Sequence, residues 1–174
     1  MLTSTIEPED IDESLEQRHR DAMLDVVLAW GALDGALGML LSCVRGLSLY
    51  DGAAAFGTMP ASAILADVRR AIKEAQSRAH ADDQAGFERI ASTLKKYKKK
   101  YEEFSFVRNC IAHAYCKGVW TVDRDFVVFM AFKQRGSSDL AIEGIPIKDM
   151  ELATKFGSHL CAAMLRFAAL YFPN

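Results

Sequence analysis

Residues 87–115 read FERIASTLKKYKKKYEEFSFVRNCIAHAY, and along them Phe87, Ile90, Leu94, Tyr97, Tyr101, Phe104, Arg108, Ile111 and Tyr115 recur at alternating gaps of three and four. That spacing predicts one long helix with these side chains on a single face. All but one are apolar or aromatic, so the face reads as a core seam with Arg108 set in phase with it. A guanidinium in such a place needs an anionic partner or a task.

On the N-terminal side, Asp12 is the expected N-cap of an apolar helix that runs with breaks to about Leu47. Gly31, Gly35 and Gly38 interrupt it. Each weakens a helix by about 1 kcal/mol relative to Ala, which predicts a face approached closely by another backbone, within the chain or across a dimer. Ala22 to Val44 is long enough to span a bilayer. Asp34 near its centre would cost about 3 kcal/mol there, so a buried core helix is the better reading. Residues 48–61 (SLYDGAAAFGTMPA) have no sustained period and predict a loop. A helix over 62–79 follows, with Ile64, Leu65, Val68 and Ile72 on its apolar face.

On the C-terminal side, Gly118 is the expected left-handed residue that closes the long helix. VWTV at 119–122 and FVVFMAF at 126–132 then predict a β-hairpin, which must lean on the helices because two strands alone are marginal. A last helix over 149–171 presents Leu152, Phe156, Leu160, Ala163, Phe167 and Leu170. The fold class is mostly α, with four main helices and a hairpin between the third and the last.

The whole chain of 174 residues, 51% of them hydrophobic, is expected to form a single domain. A chain of this size buries roughly 70% of its unfolded surface and needs neither disulfide nor metal staple. With 21 basic and 23 acidic residues, 21 − 23 leaves a formal charge of −2, but the distribution is polarised. Glu7, Glu9, Asp10, Asp12, Glu13 and Glu16 crowd the start, where residues 1–11 read as a flexible acidic arm, while 95–100 read KKYKKK. Cys43, Cys110, Cys116 and Cys161 include no C-x-x-C pair, and the acidic start lacks a signal pattern, which together predict a reducing cytoplasm.

Within FSFVRNCIAHAYCKG (104–118) stands Arg108-Asn109-x-x-x-His113. An Arg and a His in a mostly helical chain of this size, with Asn beside the Arg, resemble the HEPN superfamily of helical-bundle domains. The resemblance implies an up-and-down four-helix bundle working as a homodimer. It further implies a metal-independent endoribonuclease that cuts single-stranded RNA to 2′,3′-cyclic phosphate and 5′-hydroxyl ends, in a toxin–antitoxin or phage-defence setting. Catalytically silent relatives that bind a partner protein, such as a nucleotidyltransferase antitoxin, or a nucleotide are the alternative.

The residue chemistry suits the first of these. Imidazole exchanges protons near neutrality and can deprotonate a 2′-hydroxyl. A guanidinium stays charged and can bind two phosphate oxygens; a preorganised donor of that kind contributes roughly 3 kcal/mol of transition-state stabilisation. His113 is therefore the expected general base and acid, Arg108 the phosphate ligand, and Asn109 their support. On an unbroken helix, residues five apart point about 140° away from each other, so a second subunit or a break near Ser105 is expected to bring them together. Asn109 and His113, four apart, share a face. Read only as fold elements, Arg108 would be a half-buried ion-pair partner and His113 a helix cap.

Lys95, Lys96, Lys98, Lys99 and Lys100 form the expected RNA track, since Lys95 and Lys99 project within about 40° of the His113 direction. The alternative is a solvated face compensating Glu102 and Glu103. Asp34, on a face with Trp30, Leu37 and Leu41, is the expected outer residue that pairs with Arg108 or orients His113. Otherwise it is a helix-edge carboxylate bonded locally. Cys110, His113 and Cys116 at i, i+3 and i+6 diverge too far to make a structural zinc site. His159 reads as a core-edge histidine, and His19 and His80 as solvent-facing. No phosphate-binding, dinucleotide or hydrolase motif is present, and no cofactor is expected.

Overall fold

The computed structural model describes residues 6–57, 59, 61–132 and 140–172. They form a mostly helical protein with a small antiparallel sheet: β1 (Ile11–Asp12), α1 (Gln17–Val44), α2 (Leu49–Phe56), α3 (Ala61–Gln76), α4 (Ala81–His113), β2 (Tyr115–Trp120), β3 (Phe126–Phe132), β4 (Leu140–Pro146) and α5 (Ile147–Tyr171). Two compact units result, one of Met1–Trp30 with Glu103–Phe156, the other of Gly31–Glu102 with Gly157–Asn174; the division falls inside α1, α4 and α5.

The first unit holds the sheet, in the order β1-β2-β3-β4 with every pairing antiparallel. Two of its strands differ from expectation. The hairpin gains a third long strand, β4, and the described part of the acidic start, expected as a loose arm, is docked. Ile6 is buried with Trp120 and Val128, Pro8–Asp10 form one 3-10 turn, and β1 pairs Ile11 with Trp120 and Asp12 with Val119. The apolar run of β3 explains its place: Val127, Val128 and Phe129 are all buried, which takes cover on both sheet faces. Trp30 is fully buried, donates its indole N–H to the Ala153 carbonyl at 3.2 Å and packs on Phe156, which also meets Phe104.

Gly118 does not close the helix. It lies within β2 at a register slip, with φ +140, and a Cβ there would overlap the Asp12 carbonyl oxygen and stand 2.8 Å from Glu13 Cα. The glycine admits β1 to the sheet edge.

Asp12 is likewise not an N-cap. The helix starts five residues later, at Gln17, and its first turn is held by His19. That histidine, expected to face solvent, is fully buried: Nδ1 accepts from the Glu16 N–H at 3.1 Å, and Nε2 lies 2.8 Å from the Arg124 carbonyl oxygen. One acceptor and one donor on the same ring is the arrangement of neutral imidazole. Three carboxylates of the acidic start find cations: Arg124 binds Asp12 and Glu16 at 3.1 Å each, Arg18 binds Glu16 at 2.9 Å and also Asp125, and Lys117 binds Glu13 at 3.2 Å.

These contacts carry a pH dependence. The Ser14 hydroxyl and N–H, then Arg124, hold the Asp12 carboxyl down from 3.8 to about 2, and Arg124 with Arg18 holds Glu16 below its ordinary value. A carboxyl depressed in the folded state stabilises it above the unfolded pKa and loses that contribution as pH falls through the folded one. The thermal midpoint is therefore expected to drop between roughly pH 4 and pH 2, and Asp12→Asn to flatten the drop. A midpoint profile through that window, wild type against variant, measures it.

In the second unit, residues 49–56, expected as loop, form α2. Ser48 caps it, its Oγ accepting from the Asp51 N–H at 3.1 Å, and three alanines carry it on. α3 ends three residues earlier than expected, at Gln76, and buries the predicted face of Ile64, Leu65, Val68 and Ile72. Phe87, Ile90, Leu94 and Tyr101 of α4 are buried here too, matching the first half of the predicted seam. On α5 the buried line across the chain is Met150, Ala153, Leu160, Met164 and Phe167, a partial shift from the predicted stripe: Leu152 and Leu170 are exposed, as is His159. No described atom lies within 4 Å of where a Cβ would stand on Gly31, Gly35 or Gly38, so the close backbone approach expected for them does not occur among the described residues.

Candidate active site

α4 is continuous from Ala81 to His113, without a break near Ser105. Its last turns hold the motif, all of it in the first unit. Val107 and Cys110 are buried there, and they lie about 100° and 160° around the helix from Arg108. Arg108 is therefore not on the buried line that its phase with the seam predicts; it is partly exposed, and Asn109 and His113 are exposed.

Positions 106, 109 and 113 fall within about 60° of one another on a helix, so Phe106, Asn109 and His113 form one exposed line. Arg108 starts from another side. Its Nη1 donates to the Asn109 Oδ1 at 3.0 Å, which draws the guanidinium round toward the side that Asn109 shares with His113.

His113 is the last helical residue, and Tyr115 opens β2 opposite Met130. The Ala114 N–H still donates to the Cys110 carbonyl at 3.0 Å. A helix end joined within two residues to a paired strand fixes the backbone that carries the imidazole, as a preorganised catalytic group requires. Cys110 is buried, and burial, with a smaller push from Glu143, raises its thiol to about 11; burial raises Cys116 as well, which disfavours the reactive thiolate in both.

Two aromatic residues here escaped the reading of the chain. Phe106 lies off the seam and is 49% exposed, and Tyr115, counted as the seam's last member, is 67% exposed. The signal for Phe106 was its phase: an apolar side chain on the polar side of an amphipathic helix.

The remaining predicted residues belong to the second unit. Lys95, Lys96, Lys98, Lys99 and Lys100 are all exposed; Lys98 stands 3.5 Å from Glu102, and the Lys96 ammonium lies 5.8 Å from the Tyr97 ring centre. Asp34 is half-buried on α1, with Oδ1 shielded from solvent. Comparison with protein-family models, curated proteins and solved structures finds no match to this chain.

Proposed function

We propose that this chain is a HEPN-type domain and a metal-independent endoribonuclease acting on single-stranded RNA. His113 takes the proton from a 2′-hydroxyl and returns it to the leaving 5′-oxygen; Arg108 neutralises charge on the pentacovalent phosphate; Asn109 holds the guanidinium. The observation that carries the reading is the Arg108–Asn109 bond beside an exposed His113 at the end of a continuous helix. Phe106 and Tyr115 offer ring faces on which unpaired bases can stack, a mode tolerant of sequence.

A second copy of the chain brings a second motif to the site. Leu24, Val27 and Leu28 project from α1 with 55%, 44% and 62% exposure, a contiguous apolar stretch at helical spacing that a dimer would cover. The same helix contains an 18-residue window apolar enough to cross a membrane, of which 44% is buried. Leu28→Glu is expected to yield a monomer by sedimentation and to lose most cleavage with it.

The direct test is incubation of the purified protein with single-stranded RNA in EDTA. Cuts ending in 2′,3′-cyclic phosphate support the proposal, and intact RNA under conditions where the protein is dimeric points to a silent binding module instead. The exposed lysines give the affinity its salt dependence. Exchanging Lys95, Lys98 and Lys99 together for Gln is expected to reduce the slope of log K against log salt by about 2, at roughly 0.7 per single-strand contact.

A further inference from the structure

The strand that follows His113 is irregular. β2 pairs Cys116 with Phe129 and then Gly118 with Val128, so Lys117 is an extra residue with no opposite number on β3. Such a bulge inverts the strand. Residues two apart on a regular strand share a face, yet here Cys116 lies on the face of Phe129, Val127 and Val119, while Gly118 lies on the face of Val128. Upstream of the bulge, Tyr115 therefore stands opposite Met130, exposed to solvent two residues after His113.

The N-terminal chain meets the bulge at both of its residues. Lys117 Nζ donates to the Glu13 carboxylate at 3.2 Å, and the Asp12 carbonyl and Glu13 Cα lie against Gly118 where a side chain would stand. An ion pair this exposed contributes little by itself. Its effect is to give the extra side chain a place outside the sheet.

The alternative register shows why that matters. With the Gly118 and Val119 pairs kept, a strand without the bulge would set Lys117 opposite Phe129, Cys116 opposite Met130 and Tyr115 opposite Ala131. Phe129 is buried beside Val127, so that register carries an ammonium toward an apolar layer, a cost the bulge avoids. It also turns Tyr115 inward and draws the chain behind it, which includes His113, along by one residue.

We propose that Lys117 is a positioning residue of the His113 site: its charge, housed outside the sheet by Glu13, locks the register that turns Tyr115 to solvent and ends α4 at His113. The consequence for RNA cleavage rests on the nuclease reading; the register lock does not.

Two variants of the full chain test this. Lys117→Val removes the charge and suits the inward position, whereas Lys117→Gln loses the ion pair but stays polar. Each protein is alkylated at Cys116 with iodoacetamide and, in a separate sample, acetylated at Tyr115 with N-acetylimidazole, with both sites followed by peptide mass analysis. In Lys117→Val the two are expected to exchange exposure, Cys116 reacting about tenfold faster than in wild type and Tyr115 about tenfold more slowly. Lys117→Gln is expected to label as wild type does. A loosened fold would speed both reactions, so changes in opposite directions report the slip. On RNA, Lys117→Val is expected to lower kcat by about a hundredfold through displacement of His113, and Lys117→Gln to stay close to wild type. RNA left intact by the wild type would refute the nuclease reading, and the labelling would still decide the lock. Unchanged labelling in Lys117→Val, faster labelling at both sites, the same exchange in Lys117→Gln, or an undiminished kcat in a Lys117→Val protein that has slipped would each overturn the proposal.

Discussion

His113→Ala is expected to lower the single-turnover rate of RNA cleavage by about a thousandfold, the typical worth of a positioned general acid–base group. Arg108→Ala is expected to lower it by roughly a hundredfold or more, through loss of a preorganised donor to the developing phosphorane charge. The two losses should not add, because each group acts on the transition state the other helps to form. His113 is exposed and Arg108 only partly covered, so neither change leaves a cavity, and thermal midpoints should stay close to wild type. Arg108→Lys separates charge from shape: it keeps the cation but loses the planar fork that can reach Asn109 and phosphate together, and should recover only part of the activity. A rate that survives His113→Ala, or a midpoint that collapses with it, would make the residue a structural cap and remove the nuclease assignment.

The same residues show how much of this could be read from the chain. The seam from Phe87 to Tyr101 is visible because one period holds while the helix keeps one buried side. Past Phe104, which packs on Phe156, burial passes to Val107 and Cys110, and a spacing fitted to the whole helix cannot reveal where the buried side rotates. Arg108 therefore looked like a charge in the core and Tyr115 like a core ring. The motif itself, Arg108, Asn109 and His113, was legible as residue types at a spacing, but the bond that draws Arg108 toward Asn109 was not, since side-chain torsions leave no trace in sequence. α2 was hidden by its glycines, although Ser48 and Asp51 offered a capping signal that outweighed them. The docking of the acidic start was illegible for another reason. A two-residue strand has no period, and its pairing with β2 joins positions more than a hundred residues apart. Gly118 was recognised as a residue needing an unusual backbone, but its reason lies in Asp12 and Glu13, which only the folded chain brings near.

That distant reason makes Gly118→Ala the most destructive small substitution expected in the sheet. At φ +140 an L side chain is strained by about 1–3 kcal/mol. The methyl group also meets backbone, the Asp12 carbonyl and Glu13 Cα, which cannot rotate away as a flexible side chain would. β1 must then leave the edge of β2, and with it go the ladder at Ile11 and Asp12, the Thr121 bonds to the Asp10 carbonyl, and the alignment of Asp12 with Arg124. A loss of about 3 kcal/mol in a chain of this size lowers the thermal midpoint by roughly 10 °C. Amide exchange distinguishes local from general damage: residues 11–14 should lose protection first, while Val127 to Phe129 of β3 retain theirs, because the β3–β4 pairing does not depend on Gly118. A midpoint within about 2 °C of wild type, well under 1.5 kcal/mol for this size, with protection of β1 intact would mean that the N-terminal strand does not rest on this glycine.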